Sequence, residues 1–177
     1  MSDPESAPPR IFSPDAIHLV RTFQMMNLTL SQMADQKASI LIGASFVVFS
    51  ISIGQASASD GVSLTIAVLG ISALVSAMLA VWAILPAIST KHGPGSNMLF
   101  FGNFSQVEEK TFADTIVNEL VTSERVYRMM LHDVYQNGQV LQHKKYRFIG
   151  YAYRVFLIGL VLTVGTLLLE KSGVLTF

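Results

Sequence analysis

Three long apolar segments, separated by polar ones, set the pattern of this chain. Residues 38–59 and 61–90 contain no charged side chain, and residues 148–169 contain only Arg154. A helix needs ~20 apolar residues to cross the hydrocarbon core of a bilayer, and each segment is long enough. We therefore predict three membrane-spanning helices, over residues 38–56, 62–86 and 148–169.

Composition favours these spans over the alternative, in which the three helices are buried in a soluble core. Of the 177 residues, 51% are apolar and 14% are charged, and the mean hydropathy is +0.48. A soluble domain usually has about 25% charged residues. Three buried helices in so short a chain would leave no amphipathic shell to cover them. The composition thus indicates an all-α integral membrane protein in contact with the lipid bilayer.

The charged residues predict the orientation of the spans and exclude some partners. Eleven of the twelve Lys and Arg residues lie within residues 1–37 or 91–154. Because Lys and Arg are retained on the cytoplasmic side, we expect a cytoplasmic N-terminus and an outer tail at residues 170–177. The formal net charge is zero, which argues against a nucleic-acid partner. The sequence contains no cysteine, so disulfides and thiolate metal sites are excluded.

The N-terminal polar segment is expected to form a helix that continues into the membrane. Residues 1–12 are rich in Pro and acidic residues and are expected to be disordered. The triplet that begins at Ser13 then combines an N-cap residue, a proline and an acidic residue, which are signals of a helix start. Nothing stops a helix before Gly54, so the cytoplasmic helix of residues 13–37 is predicted to continue into the first span as one rod over residues 14–54.

The second cytoplasmic segment, residues 91–147, is predicted to be a turn-rich linker followed by one long helix. Ser105 and Glu108 have the spacing of a capping box, so the helix is expected to start there and run into the third span, with Gly138 as a weak point. Apolar residues recur along it every three or four positions, with a gap at Ser123 and a polar residue at Asn137: Phe112, Ile116, Leu120, Tyr127, Met130, Val134 and Leu141. Such a stripe is typical of coiled-coil packing and predicts a helical cytoplasmic stalk.

Small residues within the spans permit close packing of helices. The first two spans contain them as follows: Gly43, Ala44, Ser45 and Ser50, then Gly70, Ser72, Ala73, Ser76, Ala77 and Ala80. Small side chains let helix backbones approach each other in lipid, either within one chain or between copies. Three helices enclose little by themselves, so we expect a homo-oligomer.

Motifs for catalysis are weak in this sequence. The dipeptide His132-Asp133 is the one that names a class of metal phosphohydrolases, but the other histidines show no supporting spacing. The sequence also has no Gly-rich phosphate loop after a strand, no HExxH and no nucleophile elbow. We expect no enzyme activity, no catalytic residue, no metal and no cofactor.

The remaining polar residues concentrate where the cytoplasmic helices are expected to meet the membrane. Those at the bases of the first and third spans include Asp35, Lys37, Tyr135, Asn137, Lys145 and Arg147. Cationic, amide and phenol side chains suit a small anion, such as a phosphodiester joined to a base. The alternative is an ordinary interfacial cluster that faces anionic lipid headgroups.

Three motifs follow one another in a fixed order between residues 25 and 170. The first is Ala34-Asp-Gln-Lys-Ala-Ser-Ile-Leu-Ile42, at the start of the first span. The second is Asn97-Met-Leu-Phe-Phe-Gly-Asn103, and the third is Tyr135-Gln-Asn ahead of Lys144-Lys-Tyr-Arg147. The first motif resembles the AD-x-KAS-x-L signature of the Pycsar effector transmembrane proteins, the PycTM family, and the other two also match that family.

The resemblance implies an antiphage role in the bacterial inner membrane, as a multi-pass protein. A functionally paired nucleotide cyclase would detect infection and make a cyclic pyrimidine mononucleotide, cUMP or cCMP. The effector would bind this ligand and compromise the membrane, which causes abortive infection. Together with this resemblance, the polar cluster gives the hypothesis that the ligand binds near Asp35, Lys37, Tyr135, Asn137, Lys145 and Arg147.

Two other functions stay open. The chain could be a membrane anchor or scaffold subunit for a partner enzyme, or a constitutive channel for a small ion. A channel favours ionisable groups within the spans, and Arg154 is the one residue of that kind near a span. A cyclase gene beside the gene for this chain would distinguish the effector from both.

Overall fold

The computed structural model describes residues 10–58, 61–86 and 97–173, and within them every regular element is helical. The helices are α1 (Ala16–Ala58), α2 (Leu64–Ile84), α3 (Phe101–Phe104), α4 (Glu109–Glu119), α5 (Ser123–Val140) and α6 (Arg147–Lys171). A π-helical segment (Leu141–Tyr146), here called the π segment, joins α5 to α6 without a break. Three stretches are long and apolar enough to cross a membrane: Ala16–Ala58, Leu64–Ile84 and Ser123–Lys171. The predicted all-α class with three span-forming helices is therefore confirmed, while the span limits, the stalk and the oligomer stay predictions.

The described residues form two compact units. The first unit consists of residues 10–29 and 97–139, and the second consists of residues 30–58, 61–86 and 140–173. Helix α1 contributes residues to both units, and so does the continuous run of α5, the π segment and α6. The predicted disorder of residues 1–12 lies mostly outside the described residues, and so does the linker before Asn97.

In the first unit, the start of α1 packs against α5. The hydroxyl of Ser13 accepts a hydrogen bond from the backbone N–H of Asp15 at 3.3 Å, as expected for a residue at a helix start. The ring centroids of Phe12 and Tyr127 lie 4.8 Å apart in an edge-to-face arrangement. Further along α1, Asn27 Nδ2 donates to the carbonyl oxygen of Val134 at 2.8 Å.

The second unit packs its three helices through small residues. The buried face of α2 consists of Thr65, Gly70, Ala73, Ser76, Ala80 and Ala83. Two core clusters surround this face, with Ala34, Ala38 and Leu41 from α1 and with Leu141, Ile149 and Ala152 from the π segment and α6. The small residues of α2 that the pattern singled out therefore pack within the chain. Gly43, Ala44 and Ser50 of α1 are exposed.

Hydroxyl groups also bond across the apolar helices of this unit. Ser45 Oγ lies 3.5 Å from Ser76 Oγ, and Ser76 Oγ donates to the carbonyl oxygen of Ala152 at 2.9 Å, which links α1, α2 and α6. Both serines are fully buried. Near the other end of α2, the hydroxyls of Thr65 and Thr166 lie 3.1 Å apart. Each buried hydroxyl thereby finds a partner, which lipid could not supply.

The prediction of one long helix over residues 105–147 is wrong in two respects, the residue at which the helix begins and its continuity. The helix begins at Glu109, and Ser105 lies in the turn that follows α3. Helix α4 ends at Glu119, and Thr122 Oγ1 accepts a hydrogen bond from the backbone N–H of Arg125 at 3.4 Å, so a new helix starts after Thr122. This N-cap explains the gap in the apolar stripe, because the stripe is divided between two helices.

The prediction that the helix is weakened at Gly138 is also wrong. Helix α5 continues regularly through Gly138, and the departure from α-helical geometry follows at Leu141–Tyr146. A π-helical turn accommodates one extra residue without breaking the helix, and such turns occur often at functional sites. The predicted continuity of this helix with the third apolar helix is confirmed for the run from Ser123 to Lys171.

Candidate functional site

Two of the six predicted ligand residues, Asp35 and Lys145, meet in the second unit. Lys145 Nζ donates to both carboxylate oxygens of Asp35 at 2.7 Å and to Ser31 Oγ at 2.8 Å. The side chain of Lys145 is 19% exposed and that of Asp35 is 45% exposed. The opposite charges of Asp35 and Lys145 attract each other, and the pair therefore holds α1 to the π segment.

The π segment holds two neighbouring helices with three consecutive side chains. Lys144 Nζ donates to the carbonyl oxygen of Leu85 at 2.8 Å, at the C-terminal end of α2, where a cation also complements the helix dipole. The hydroxyl of Tyr146 donates to the carbonyl oxygen of Leu30 in α1 at 3.2 Å. Together with the ion pair to α1, these contacts form what we call the π clamp, residues 144–146.

The other two predicted cations of this unit have aromatic neighbours. Lys37 Nζ lies 6.0 Å from the centroid of the Tyr146 ring, and Arg147 Nε donates to the hydroxyl of Tyr151 at 3.2 Å. Both Lys37 and Arg147 are exposed. Their charges can therefore meet an anion, whether a ligand phosphate or a lipid headgroup.

The remaining two predicted residues, Tyr135 and Asn137, belong to the first unit. Asn137 Nδ2 donates to Asp133 Oδ1 at 2.9 Å, and Asn97 Nδ2 donates to the same oxygen at 2.9 Å. Asn103 Nδ2 in turn donates to the backbone carbonyl oxygen of Asn97 at 3.0 Å. The second and third sequence motifs therefore meet at Asp133, in a cluster that we call the asparagine knot: Asn97, Asn103, Asp133 and Asn137.

The asparagine knot gives Asp133 a structural role in place of the catalytic one that its sequence suggested. The side chain of Asn97 is only 1% exposed, and its Oδ1 accepts a hydrogen bond from the backbone N–H of Leu99 at 2.9 Å. Within the described residues, no three His, Asp or Glu side chains are grouped so that they could hold a metal ion. Tyr135 is 66% exposed, on the outside of α5.

A cavity of about 600 Å³ lies in the first unit and was missed by the sequence analysis. Three segments line it: Asn97 and Met98 after the second span, Thr115 and Glu119 of α4, and Arg128, Met129 and His132 of α5. The four-residue spacing within each helix places the lining residues on one face, which the sequence could have indicated. The pairing of those two faces could not be read from the sequence, because it depends on the break between α4 and α5.

The one guanidinium group in this cavity is held by a carboxylate outside it. Arg128 Nε and Nη2 both donate to Glu124 Oε1, at 2.9 and 2.6 Å. This hydrogen bonding by Arg128 holds the pKa of Glu124 below its ordinary value, and Arg10, 3.9 Å away, lowers it further. The stabilisation is therefore present above the ordinary carboxyl pKa and is lost as the pH falls through the lowered value.

Comparisons with known proteins identify the family of this chain. Neither the curated proteins nor the solved structures gave a match. The family model of the Pycsar effector protein domain, PycTM, matches residues 18–170, which include the three span-forming helices and the cavity. This is the domain of a transmembrane effector and is not a known catalytic family. Since the match covers most of the chain, this membrane protein belongs to the PycTM family of Pycsar effectors, which act in antiphage defence.

Proposed function

We propose that this chain is an effector that binds a cyclic pyrimidine mononucleotide, cUMP or cCMP, on its cytoplasmic helices and then impairs the inner membrane. The observation that carries the proposal is the family match over residues 18–170 in a chain with three span-forming helices. A functionally paired cyclase would supply the nucleotide on infection. Loss of membrane integrity would stop growth before phage are released.

The orientation follows from the distribution of charge. Ten of the twelve Lys and Arg residues lie in residues 1–37 and 91–147, the segments that we place in the cytoplasm, which include the first unit. The nucleotide is made in the cytoplasm, so its site belongs on that side. We place the connection between α1 and α2 and the C-terminal tail on the outer side.

Two continuous helical paths provide a means of coupling ligand binding to the membrane. Helix α1 and the run from α5 to α6 each supply residues to both units. A nucleotide can shift the spans only if it binds one arrangement of these helices more tightly than the other. The π clamp lies on the second of these paths, and we propose that its contacts to α1 and α2 differ between the two arrangements.

Association between copies would complete a path through the membrane. The small residues of α1 at Gly43, Ala44 and Ser50 are exposed, and small side chains let a second helix backbone approach closely at those positions. The corresponding small residues of α2 are already used within the chain. We therefore propose α1 as the helix through which copies associate.

The test combines a binding measurement with a membrane measurement. Melting of the protein in detergent is recorded against cUMP, cCMP, cAMP and cGMP, and the same nucleotides are added to dye-loaded vesicles that contain the protein. Specific binding raises stability with ligand concentration, by about 2.7 kcal/mol at a hundredfold excess over Kd. We expect one pyrimidine nucleotide to raise the melting temperature and to release the dye, and the purine nucleotides to do neither.

Each readout can fail separately. No melting shift with any of the four nucleotides, for a protein that melts cooperatively, would refute nucleotide binding. A melting shift without dye release would keep the binding and refute the membrane effect. The sequence prediction that Lys37 and Arg147 contact the ligand is tested by K37A and R147A: loss of the response in folded variants would support it, and an unchanged response would place the site elsewhere.

A second candidate function, an anchor for a partner enzyme, is favoured by one observation. Val117, Leu120 and Val121, around the end of α4, are 62%, 55% and 72% exposed. Exposed apolar side chains that lie close together often mark a protein-binding surface. Isolation of the chain from its native membrane in a stable complex with a soluble enzyme, without a melting shift from any nucleotide, would favour the anchor.

A further inference from the structure

We propose that the cavity of the first unit is the nucleotide site, with Arg128 on the cyclic phosphate and Glu119 on the ribose hydroxyl. This assignment rests on the proposed function and adds to it a site that the sequence prediction did not contain. The cavity of about 600 Å³ falls within the roughly 300–1,000 Å³ range of small-molecule sites. Its lining combines one cation, one carboxylate and apolar side chains, which are the groups that the parts of a cyclic nucleotide need.

Arg128 is held in place by Glu124, although its side chain is 66% exposed. A guanidinium group has five N–H donors, and the two bonds to Glu124 use Nε and Nη2. Within the described residues Nη1 has no acceptor, so its two donors face no competition from the protein. The bonds to Glu124 fix the plane of the guanidinium before the ligand arrives, which reduces the entropy lost on binding. A charge-assisted hydrogen bond from Nη1 to the phosphodiester is the expected contact.

Glu119 supplies the acceptor that a ribose hydroxyl requires. It is partly buried in the wall of the cavity, and in the described part of the chain its carboxylate receives no hydrogen bond and forms no ion pair. A carboxylate is a common partner of the ribose 2′-hydroxyl in nucleotide sites. A cyclic 3′,5′-mononucleotide retains only this hydroxyl on its ribose, so one carboxylate is sufficient.

Other side chains that line the cavity can pack against the base of the nucleotide. Met98 and Met129 offer flexible thioether side chains, which pack well against the edge and face of an aromatic ring. His132 Nε2 lies 3.0 Å from the side-chain Nε2 of Gln136, and the imidazole adds a polar group to this wall, beside which the polar substituents of a pyrimidine can lie.

The experiment measures the affinity of the full-length protein for cUMP and cCMP, and for the 2′-deoxy form of the one that binds. R128A should weaken binding about tenfold or more, since hydrogen bonds to a charged group are lost. K110A is the control, because Lys110 is an exposed cation of the same unit that lies outside the cavity, and it should bind as the wild type does. The 2′-deoxy nucleotide should bind the wild type about tenfold more weakly, and E119Q should bind the two forms with more nearly equal affinity.

The outcomes separate the site from the function. If the wild type binds neither cUMP nor cCMP, the proposed function fails, and the assigned site fails with it. If the wild type binds, but R128A and E119Q bind as tightly and still distinguish the deoxy form, the cavity is overturned while the function stands. If R128A does not fold, the site is tested by E119Q alone. The quantity compared is then the ratio of the affinities for the nucleotide and its 2′-deoxy form, in E119Q and in the wild type.

Discussion

The close approach of α2 and α6 leads to a prediction about Gly159. A Cβ atom placed on Gly159 would overlap the Cβ and Oγ atoms of Ser72, although it would lie 3.7 Å from Ser72 Cα, an ordinary contact distance. Gly159→Ala therefore cannot be accommodated by rotating a flexible side chain, and the two helices must move apart. Overpacking of this kind costs about 1–3 kcal/mol.

The control for this prediction lies on the same helix. A Cβ atom on Gly165 would have no atom within 4 Å. Both substitutions gain the same helix propensity, about 1 kcal/mol for Gly to Ala, so the difference between them isolates the overpacking. At about 2–4 °C per kcal/mol, G159A should melt roughly 2–12 °C below G165A when both are measured in the same detergent.

A second substitution tests the cause of the effect. Ser72→Gly removes the two atoms that a Cβ on Gly159 would overlap, and leaves the one at an acceptable distance. The double variant S72G/G159A should therefore be more stable than the sum of the single effects predicts, by about 1 kcal/mol or more. Equal melting of G159A and G165A, or strict additivity in the double variant, would refute the close packing of α2 against α6 at this position.

The other predictions concern three hydrogen-bonded contacts, each measured by the melting temperature in detergent. Ser76→Ala removes the hydroxyl that links three helices and should cost about 0.6–1.7 kcal/mol, whereas Ser50→Ala, at an exposed position, should cost little. Asn97→Ala removes a buried donor and acceptor from the asparagine knot and should cost about 1–3 kcal/mol. Lys145→Ala should cost about 1 kcal/mol, because the ion pair is partly exposed, and the exchanged pair D35K/K145D should regain part of it.

Each of these predictions has a result that contradicts it. Equal losses in S76A and S50A would mean that the buried hydroxyl relay contributes nothing specific. Wild-type melting of N97A would show that the asparagine knot does not hold the turn before α3 on α5. If D35K/K145D is no more stable than K145A, attraction between the two side chains is not what fastens α1 to the π segment.

Much of the helical organisation was determined by the sequence alone, because it depends on local physics. Long runs without charge predicted three span-forming helices, and the absence of any stop signal predicted one rod over residues 14–54, where the structure has α1 from Ala16 to Ala58. Both follow from the cost of exposing polar groups in lipid and from helix capping, which act within a few residues. The three motifs in their order, beginning with the signature at Ala34, also gave the resemblance that the family match confirms.

The tertiary structure decided what partners the polar residues have. From the sequence, Asp35 and Lys145 are two interfacial charges among several, and their pairing depends on residues far apart in the chain. The same is true of Asn97 and Asp133, whose hydrogen bond gives a structural role to a residue that resembled part of a metal site. Only the fold brings such groups within hydrogen-bonding distance.

The cavity, like these contacts, could not be predicted from the sequence. Its two helical faces each have a regular four-residue spacing, but one lies on α4 and the other on α5. A capping box at Ser105 and an apolar stripe, interrupted at Ser123, predicted one helix there, on which the two faces could not have opposed each other. The hydroxyl of Thr122 caps a new helix, and three residues between Glu119 and Ser123 separate α4 from α5. The residues were therefore readable from the sequence, but the site that they form was decided by the tertiary structure.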